Sequence, residues 1–177
     1  MIVFMQSTRE YQAIISAPFG ALGICCEADT LVGIDFLAPD TLPQSPDYAF
    51  AQSVCKQLTA YFNDPDFHFT LTLKPSGTPH QSKVWKAMCA IPRGWTRQYG
   101  ELARDLSSSP RAVGQACGAN PIPIVIPCHR VVSKTGMGGF AHHRDGYELD
   151  IKRWLLAHEE NILPPVTQGE RGEGEQR

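Results

Sequence analysis

Three prolines, Pro121, Pro123 and Pro127, punctuate an apolar run that extends from Asn120 to Val132. Each proline fixes φ and removes a backbone donor, so this run can be neither a regular helix nor a central strand. Ile124, Val125 and Ile126 read instead as a short buried extended segment. It carries Cys128, His129 and Arg130 on a stiff backbone into the fold. A buried cysteine is by default an inert small hydrophobe. A neighbouring imidazole and guanidinium can instead favour the thiolate and make it a nucleophile. Side chains at i and i+1 of an extended segment point to opposite faces, so coupling His129 to Cys128 would need a water or a backbone turn. From the dipeptide alone both readings stand.

The 177 residues are enough for one domain or two small ones. No run approaches the ~20 apolar residues of a membrane span. The start has no basic segment followed by a long apolar one, so a signal peptide is not expected and a cytoplasmic location is. Cys25, Cys26, Cys55, Cys89, Cys117 and Cys128 are then expected to be reduced. None forms a C-x-x-C pair, and no metal site is expected. Net charge is −2, but it is unevenly spread. Residues 1–75 carry three Lys/Arg against eight acids, and residues 76–159 carry eleven against six. The part containing Cys128 is therefore basic, which hints at a polyanionic partner, although an ordinary solvated surface explains the charge equally well.

Along the chain, residues 11–16, 22–26 and 31–36 read as strands separated by turn signals. Ser45 and Pro46 suit an N-cap and first helical position, predicting a helix over 46–62. Phe67, Phe69, Leu71 and Leu73 alternate with polar residues, predicting a half-buried strand. A boundary is expected near 74–77. Thr78 and Pro79 then start a helix, and a second short helix spans 99–106. After the turn at Ser107, Ser108 and Ser109, a third helix covers 111–117, giving a helix-turn-helix pattern. Ala112, Gly114, Ala116 and Gly118 are read as one small face, suited to another helix or to a nucleic-acid groove. A final helix covers 149–158. His142 and His143 read as a solvated loop pair, and residues 161–177 as a disordered tail.

These residues fall into a familiar order. Val84-Trp85, Ile91-Pro92-Arg93-Gly94, Tyr99-Gly100-Glu101-Leu102-Ala103, Arg111-Ala112-Val113-Gly114, Asn120-Pro121, Pro127-Cys128-His129-Arg130-Val131-Val132, Gly138-Gly139-Phe140 and the run from Lys152 to Glu159 cover residues 77–159 almost continuously. In this the chain resembles the O6-alkylguanine-DNA alkyltransferases, or methylated-DNA–protein-cysteine methyltransferases. The resemblance implies an α/β (α+β) architecture: a small RNase H-like domain at 1–75, then a mainly helical domain at 76–160 with the helix-turn-helix and a buried Pro-Cys-His-Arg site. It implies DNA repair by irreversible transfer of an alkyl group from O6 of guanine, or O4 of thymine, to Cys128, once per molecule. The nucleotide must first be flipped from the duplex, because the attacked carbon lies inside the stack.

By the same resemblance His129 is the base that takes the thiol proton through a water, and Glu159 orients it. Asn120 supports the turn around the thiol. Tyr99 rotates the phosphodiester and donates a proton to the departing base. Arg111 fills the hole in the stack, while Ala112, Gly114 and Ala116 enter a minor groove only ~6 Å wide. Val131, Gly139, Phe140 and Ala141 line the substrate pocket. No cofactor is implied, since the lesion is the alkyl donor; the partner is double-stranded DNA, and the chain is expected to be a monomer. Four departures from the family pattern bear on substrate range. The 107–109 turn is short and the 141–150 loop long; Phe140-Ala141 replaces a Tyr-Ser pair, and His80-Gln81 replaces Phe-Gln. A lesion binder without transfer and a Cys-His hydrolase are the rival readings. Cys128 argues against the first, and the adjacency of Cys and His against the second.

Overall fold

The computed structural model describes residues 9–141 and 146–160. The expectations for the chain start, for His142-His143 and for the tail at 161–177 lie outside the described residues.

Strands β1 (Ala13–Ala17), β2 (Gly20–Glu27) and β3 (Thr30–Leu37) form an antiparallel meander in the order β1-β2-β3. Pro18 and Phe19 close the first hairpin, where Ala17 pairs with Gly20. Ala28 and Asp29 close the second, where Glu27 pairs with Thr30. The central strand is buried from Ala21 to Cys26, because it has neighbours on both edges and covered faces. Helix α1 (Ala49–Asn63) packs on β1 and β2, burying Ala51, Val54, Leu58 and Tyr61 at helical spacing. Each such large apolar side chain contributes about 1.5–3 kcal/mol of burial.

Two expectations in this region are corrected. Helix α1 begins after Tyr48, not at Pro46, because Gln44 exchanges backbone hydrogen bonds with Ile14 (2.9 and 3.0 Å) and prolongs the sheet edge. Residues 67–73 keep the alternating burial of a strand, but only Leu73 makes a bridge, to Leu31. The rest of the segment has no strand partner among the described residues. Its Phe67 and Phe69 rings meet edge to face instead, and Phe69 packs at a tilt against Tyr61.

Helix α2 (Pro79–Cys89) starts with a reciprocal capping box between Thr78 and Gln81. The short strand β4 (Arg97–Gln98) runs straight into helix α3 (Tyr99–Asp105), and helix α4 (Pro110–Gly118) follows. Ser109 caps α4 by accepting from the Ala112 amide at 3.1 Å. Strand β5 (Val131–Val132) pairs in parallel with β4, and helix α5 (Tyr147–Glu160) closes the fold.

The core is continuous from Ala13 to Leu155. Polar ties fasten the sheet to the later part of the chain: the Ile34 amide donates to the Pro121 carbonyl at 2.9 Å, and the Tyr147 hydroxyl to the Phe19 carbonyl at 2.6 Å. Among the described residues no helix is long and apolar enough to cross a membrane.

Candidate active site

The segment expected to be extended is a compact turn. Ile124 takes a left-handed φ of 75°, and the Ile126 amide donates back to the Ile122 carbonyl at 2.9 Å. A β-branched residue adopts that conformation only when its surroundings impose it. Asn120 does so from both sides: Nδ2 donates to the Ile126 carbonyl at 2.8 Å, and Oδ1 accepts from the Ile122 amide at 3.0 Å. Pro127 (φ −83°, ψ 67°) then forms an inverse γ-turn, with the Cys128 amide donating to the Ile126 carbonyl at 2.9 Å. A single 3-10 turn, Cys128–Arg130, follows. The thiol and imidazole therefore sit on a turn, so the opposite-face objection to their coupling does not apply.

Cys128 is 5% exposed and lies where two adjoining cavities of about 740 and 310 Å³ meet. Tyr99, Arg111, Gly114, Gly139, Phe140 and Ala141 line the larger one. Burial pushes the thiol up to about 11, against the Asn120 side chain, the Lys152 charge and nearby backbone N–H groups, which pull it down. At neutral pH the sulfur is therefore a protonated thiol.

His129 is fully buried. Its Nε2 lies 2.8 Å from Glu159 Oε1, and its Nδ1 has no partner among the described residues. Burial, helped by the charges of Arg130 and Lys152, holds the ring below its ordinary value, against the pull of Glu159. The carboxylate of Glu159 also accepts from Tyr61 Oη at 2.9 Å, Arg130 Nη2 at 2.9 Å and Arg130 Nε at 3.0 Å. Burial alone would raise Glu159; the His129 and Arg130 contacts outweigh it and hold the carboxyl well below the usual range. An ionised carboxylate only accepts, so the neutral ring carries its proton on Nε2. The lone pair is left on Nδ1, the unpartnered nitrogen, and that is the arrangement of a general base awaiting a proton.

Tyr99 opens α3, and burial, then the nearby thiols, push its phenol well above the ordinary value. It stays a donor and reaches the Gly139 carbonyl at 3.3 Å. Gly138 must be glycine: its φ is 74°, and a Cβ there would stand 2.8 Å from the Tyr99 ring. Arg111 is exposed at the first turn of α4, on the rim of the larger cavity.

Other expected residues separate. Gly114 and Gly118 face the larger cavity, but Ala116 is buried, with its carbonyl taken by Trp85 Nε1 at 2.8 Å. Residues two apart on a helix do not share a face, so the four small residues do not form one surface. Ala112 is half-buried and is not on the cavity wall. Val131 is fully buried and lines neither cavity; its carbonyl accepts from Lys152 Nζ at 2.7 Å.

The Arg130 guanidinium, expected to favour the thiolate, is turned to Glu159 instead, and two further residues in the site, Tyr61 and Lys152, went unnoticed in the sequence. Arg130 grips Glu159 and the Ile91 carbonyl (2.7 Å). Tyr61 brings a hydroxyl from α1, and Lys152 is wholly buried. Lys152 and Glu159 do carry a signal, for both fall on the stripe of α5 that buries Leu149 and Leu155. Tyr61 carries none, because its partner is 98 residues away. Among the described residues no group of acidic, His or Cys side chains could hold a metal ion.

Comparison with known proteins gives two family matches. Residues 11–75 match the ribonuclease-like domain of 6-O-methylguanine DNA methyltransferase, and residues 79–161 match its DNA binding domain. A methylated-DNA–protein-cysteine methyltransferase of Methanosarcina barkeri is 40% identical over 161 residues, covering 86% of this chain and 99% of its own. The crystal structure of Mycobacterium tuberculosis O6-methylguanine methyltransferase superposes with a TM-score of 0.72 at 34% identity, over 86% of this chain and 93% of that one. A structure of M. tuberculosis OGT in complex with DNA gives 0.70 at 36% identity, over 86% and 94%.

Proposed function

The chain belongs to the 6-O-methylguanine DNA methyltransferase family, and on that premise we propose that it repairs DNA by moving an alkyl group from O6 of guanine onto its own Cys128. The observation that carries the assignment of residues is the His129 ring. Its Nε2 is fixed by an ionised Glu159, and its Nδ1, one residue from the thiol, is unpartnered among the described residues.

Double-stranded DNA docks over the larger cavity with α4 in the minor groove. The damaged nucleotide leaves the stack, because the carbon to be attacked is otherwise out of reach. Arg111, exposed on the rim, fills the vacated space. A water between Nδ1 and the thiol carries the proton from Cys128 to His129, and Glu159 stabilises the imidazolium. The sulfur then attacks the alkyl carbon. An S–C bond forms, the C–O6 bond breaks, and the electron pair leaves with guanine, which takes a proton from the Tyr99 side. Asn120 keeps the thiol aimed by holding the turn beneath it.

Phe140 and Ala141 bring no hydroxyl to the pocket, so backbone N–H groups read the flipped base. The same attack extends to O4 of thymine, which presents an equivalent carbon. The product is a thioether that no group in the cavity can cleave, so each molecule acts once. The lesion supplies the alkyl group, and the reading requires no cofactor. It assigns residues 1–75 to a supporting unit and 76–160 to the reacting one, in a cytoplasmic monomer.

The test is intact-protein mass spectrometry after incubation with a duplex containing one O6-methylguanine, followed by peptide mapping. One added methyl on Cys128, stoichiometric and without turnover, is expected. Binding of the duplex with no added mass would overturn the reading.

A further inference from the structure

Lys152 is a lysine with no exposure to solvent, on the buried stripe of α5. Removing an ammonium from water costs several kcal/mol unless an anion compensates. No ion pair among the described residues includes Lys152. Its Nζ donates to the Val131 carbonyl at 2.7 Å and the Gly139 carbonyl at 2.9 Å, and stands 5.9 Å from the centre of the Tyr99 ring. Carbonyl dipoles satisfy two of its three donors but do not neutralise its charge.

The Tyr99 ring of α3 lies over this ammonium, the Val131 carbonyl that it binds directly follows the Cys128–Arg130 turn, and its charge acts on the Cys128 and Cys117 thiols and the His129 ring. None is an anion at rest. Cys117, Cys128 and Tyr99 are all pushed up by burial and stay protonated, and His129 stays neutral. Burial also pulls Lys152 down, to about 8, so it still carries its proton at neutral pH. A cation is thus held, with no anionic partner among the described residues, where its charge acts on the one sulfur that becomes negative when the protein reacts. Perturbed buried charges collect where charge develops during a reaction.

We propose that Lys152 is a positioning residue for alkyl transfer: it supplies the counter-charge of the Cys128 thiolate while tying the Val131 and Gly139 carbonyls together. The inference rests on the transfer reading given above. When the proton leaves Sγ for His129, the charge left on sulfur is met by the ammonium. When the S–C bond forms and guanine leaves with the C–O6 electron pair, the sulfur is neutral again.

Two variants separate the charge from the tie. Lys152→Gln retains amide donors for the two carbonyls and removes the charge; Lys152→Arg retains both. The readouts are single-turnover methyl transfer from an O6-methylguanine duplex and the rate at which iodoacetamide modifies Cys128, mapped by peptide across pH. In Lys152→Gln both rates are expected to fall about tenfold, with the thiol profile shifted about one unit to higher pH. Lys152→Arg should restore both. A folded Lys152→Gln protein with an unshifted Cys128 profile would overturn the proposal, whatever its transfer rate, because a purely structural tie does not move the ionisation of the thiol. A wild-type chain that modifies normally with iodoacetamide yet gains no methyl from DNA would overturn the transfer reading instead.

Should neither variant fold, the wild-type protein still decides. Lys152 Nζ can be titrated by nitrogen-15 NMR alongside the rate at which iodoacetamide modifies Cys128. The ammonium titrates before the thiol, so the rate is expected to climb with pH up to the Lys152 titration and to bend over above it, where the counter-charge is lost. A rate that climbs through the Lys152 titration without a bend would overturn the proposal.

Discussion

Glu159→Gln is the substitution that asks most of the site. Four contacts converge on the carboxylate: His129 Nε2, Tyr61 Oη and Arg130 Nη2 on Oε1, and Arg130 Nε on Oε2. All four partners are held as donors by the ionised group. Glutamine has one oxygen, so its amide nitrogen must face a donor in either orientation. With nitrogen at the Oε2 position it confronts the Arg130 Nε–H and leaves a guanidinium that is 14% exposed without a counter-ion. With nitrogen at the Oε1 position it forces His129 to accept at Nε2 and carry its proton on Nδ1. The first orientation removes the stabilisation of the imidazolium, and the second removes the base.

Breaking a buried ion pair from one side costs about 3–5 kcal/mol. Losing general-base catalysis costs about 10²–10⁴ in rate. The assay is single-turnover transfer from an O6-methylguanine duplex, at a temperature where circular dichroism shows the variant folded, with urea unfolding alongside. A folded variant that transfers within threefold of wild type would refute the reasoning, since a charged, oriented imidazole would then be unnecessary. A rate loss without a stability loss would refute the account of Arg130. The stability difference should also depend on pH. The folded carboxyl is depressed, so its contribution is complete above the ordinary carboxylate range, near about 4.3, and fades as pH falls below it. Wild type and variant should therefore converge in stability in acid.

Three further outcomes are expected. Asn120→Ala removes both side-chain bonds that hold Ile124 in its left-handed conformation, so it should destabilise the chain by about 2–4 kcal/mol in urea and slow transfer; an unchanged midpoint would show the turn to be held by other contacts. Gly138→Ala sets a Cβ 2.8 Å from the Tyr99 ring at a positive φ, so it should reduce transfer from duplex DNA while leaving iodoacetamide modification of Cys128 within twofold, about the scatter of such a comparison. The pH profile of transfer should have an acid limb below about 6.5, the ordinary histidine value, because burial lowers His129 and keeps it a neutral base through pH 7. A limb centred above neutrality would mean that the ring is held charged.

Local rules made much of this legible. The capping box at Thr78 and Gln81 and the Ser109-Pro110 start of α4 are signals that depend on neighbours in sequence, and both helices form where the signals stand. Cys128 and His129 stood out as neighbours in the chain, whereas Glu159 was picked out only through the family resemblance; the fold brings its carboxylate to the His129 ring at 2.8 Å. The segment at 122–126 was not, because a β-branched residue in the left-handed region runs against every local preference. What decides it is Asn120, whose side chain reaches along the chain to two backbone groups. The strand expected at 67–73 failed for a different reason. Alternation shows that one face is covered, and the Phe67–Phe69 and Tyr61–Phe69 ring contacts cover it, but alternation cannot say whether a second strand lies alongside.

The N-terminal unit shows why a motif search stops short of the whole site. Read as sequence, residues 1–75 carry no chemistry, and Tyr61 is one more apolar position on α1. In the fold its hydroxyl donates to Glu159 at 2.9 Å, and its carbonyl accepts the His158 ring at 2.7 Å. The β3 strand meets the other side of the site through Ile34 and Pro121. The carboxylate that orients the base and the turn that carries the thiol are thus each fastened to a different element of the N-terminal unit. Tyr61→Phe would separate these duties. It leaves Glu159 with three donors, so the ring keeps its tautomer and transfer should stay within about threefold, while the lost charge-assisted bond costs about 1.5–3 kcal/mol. A collapse of transfer in a folded Tyr61→Phe protein would place the hydroxyl in the proton path itself, and the unit that carries it among the reacting parts.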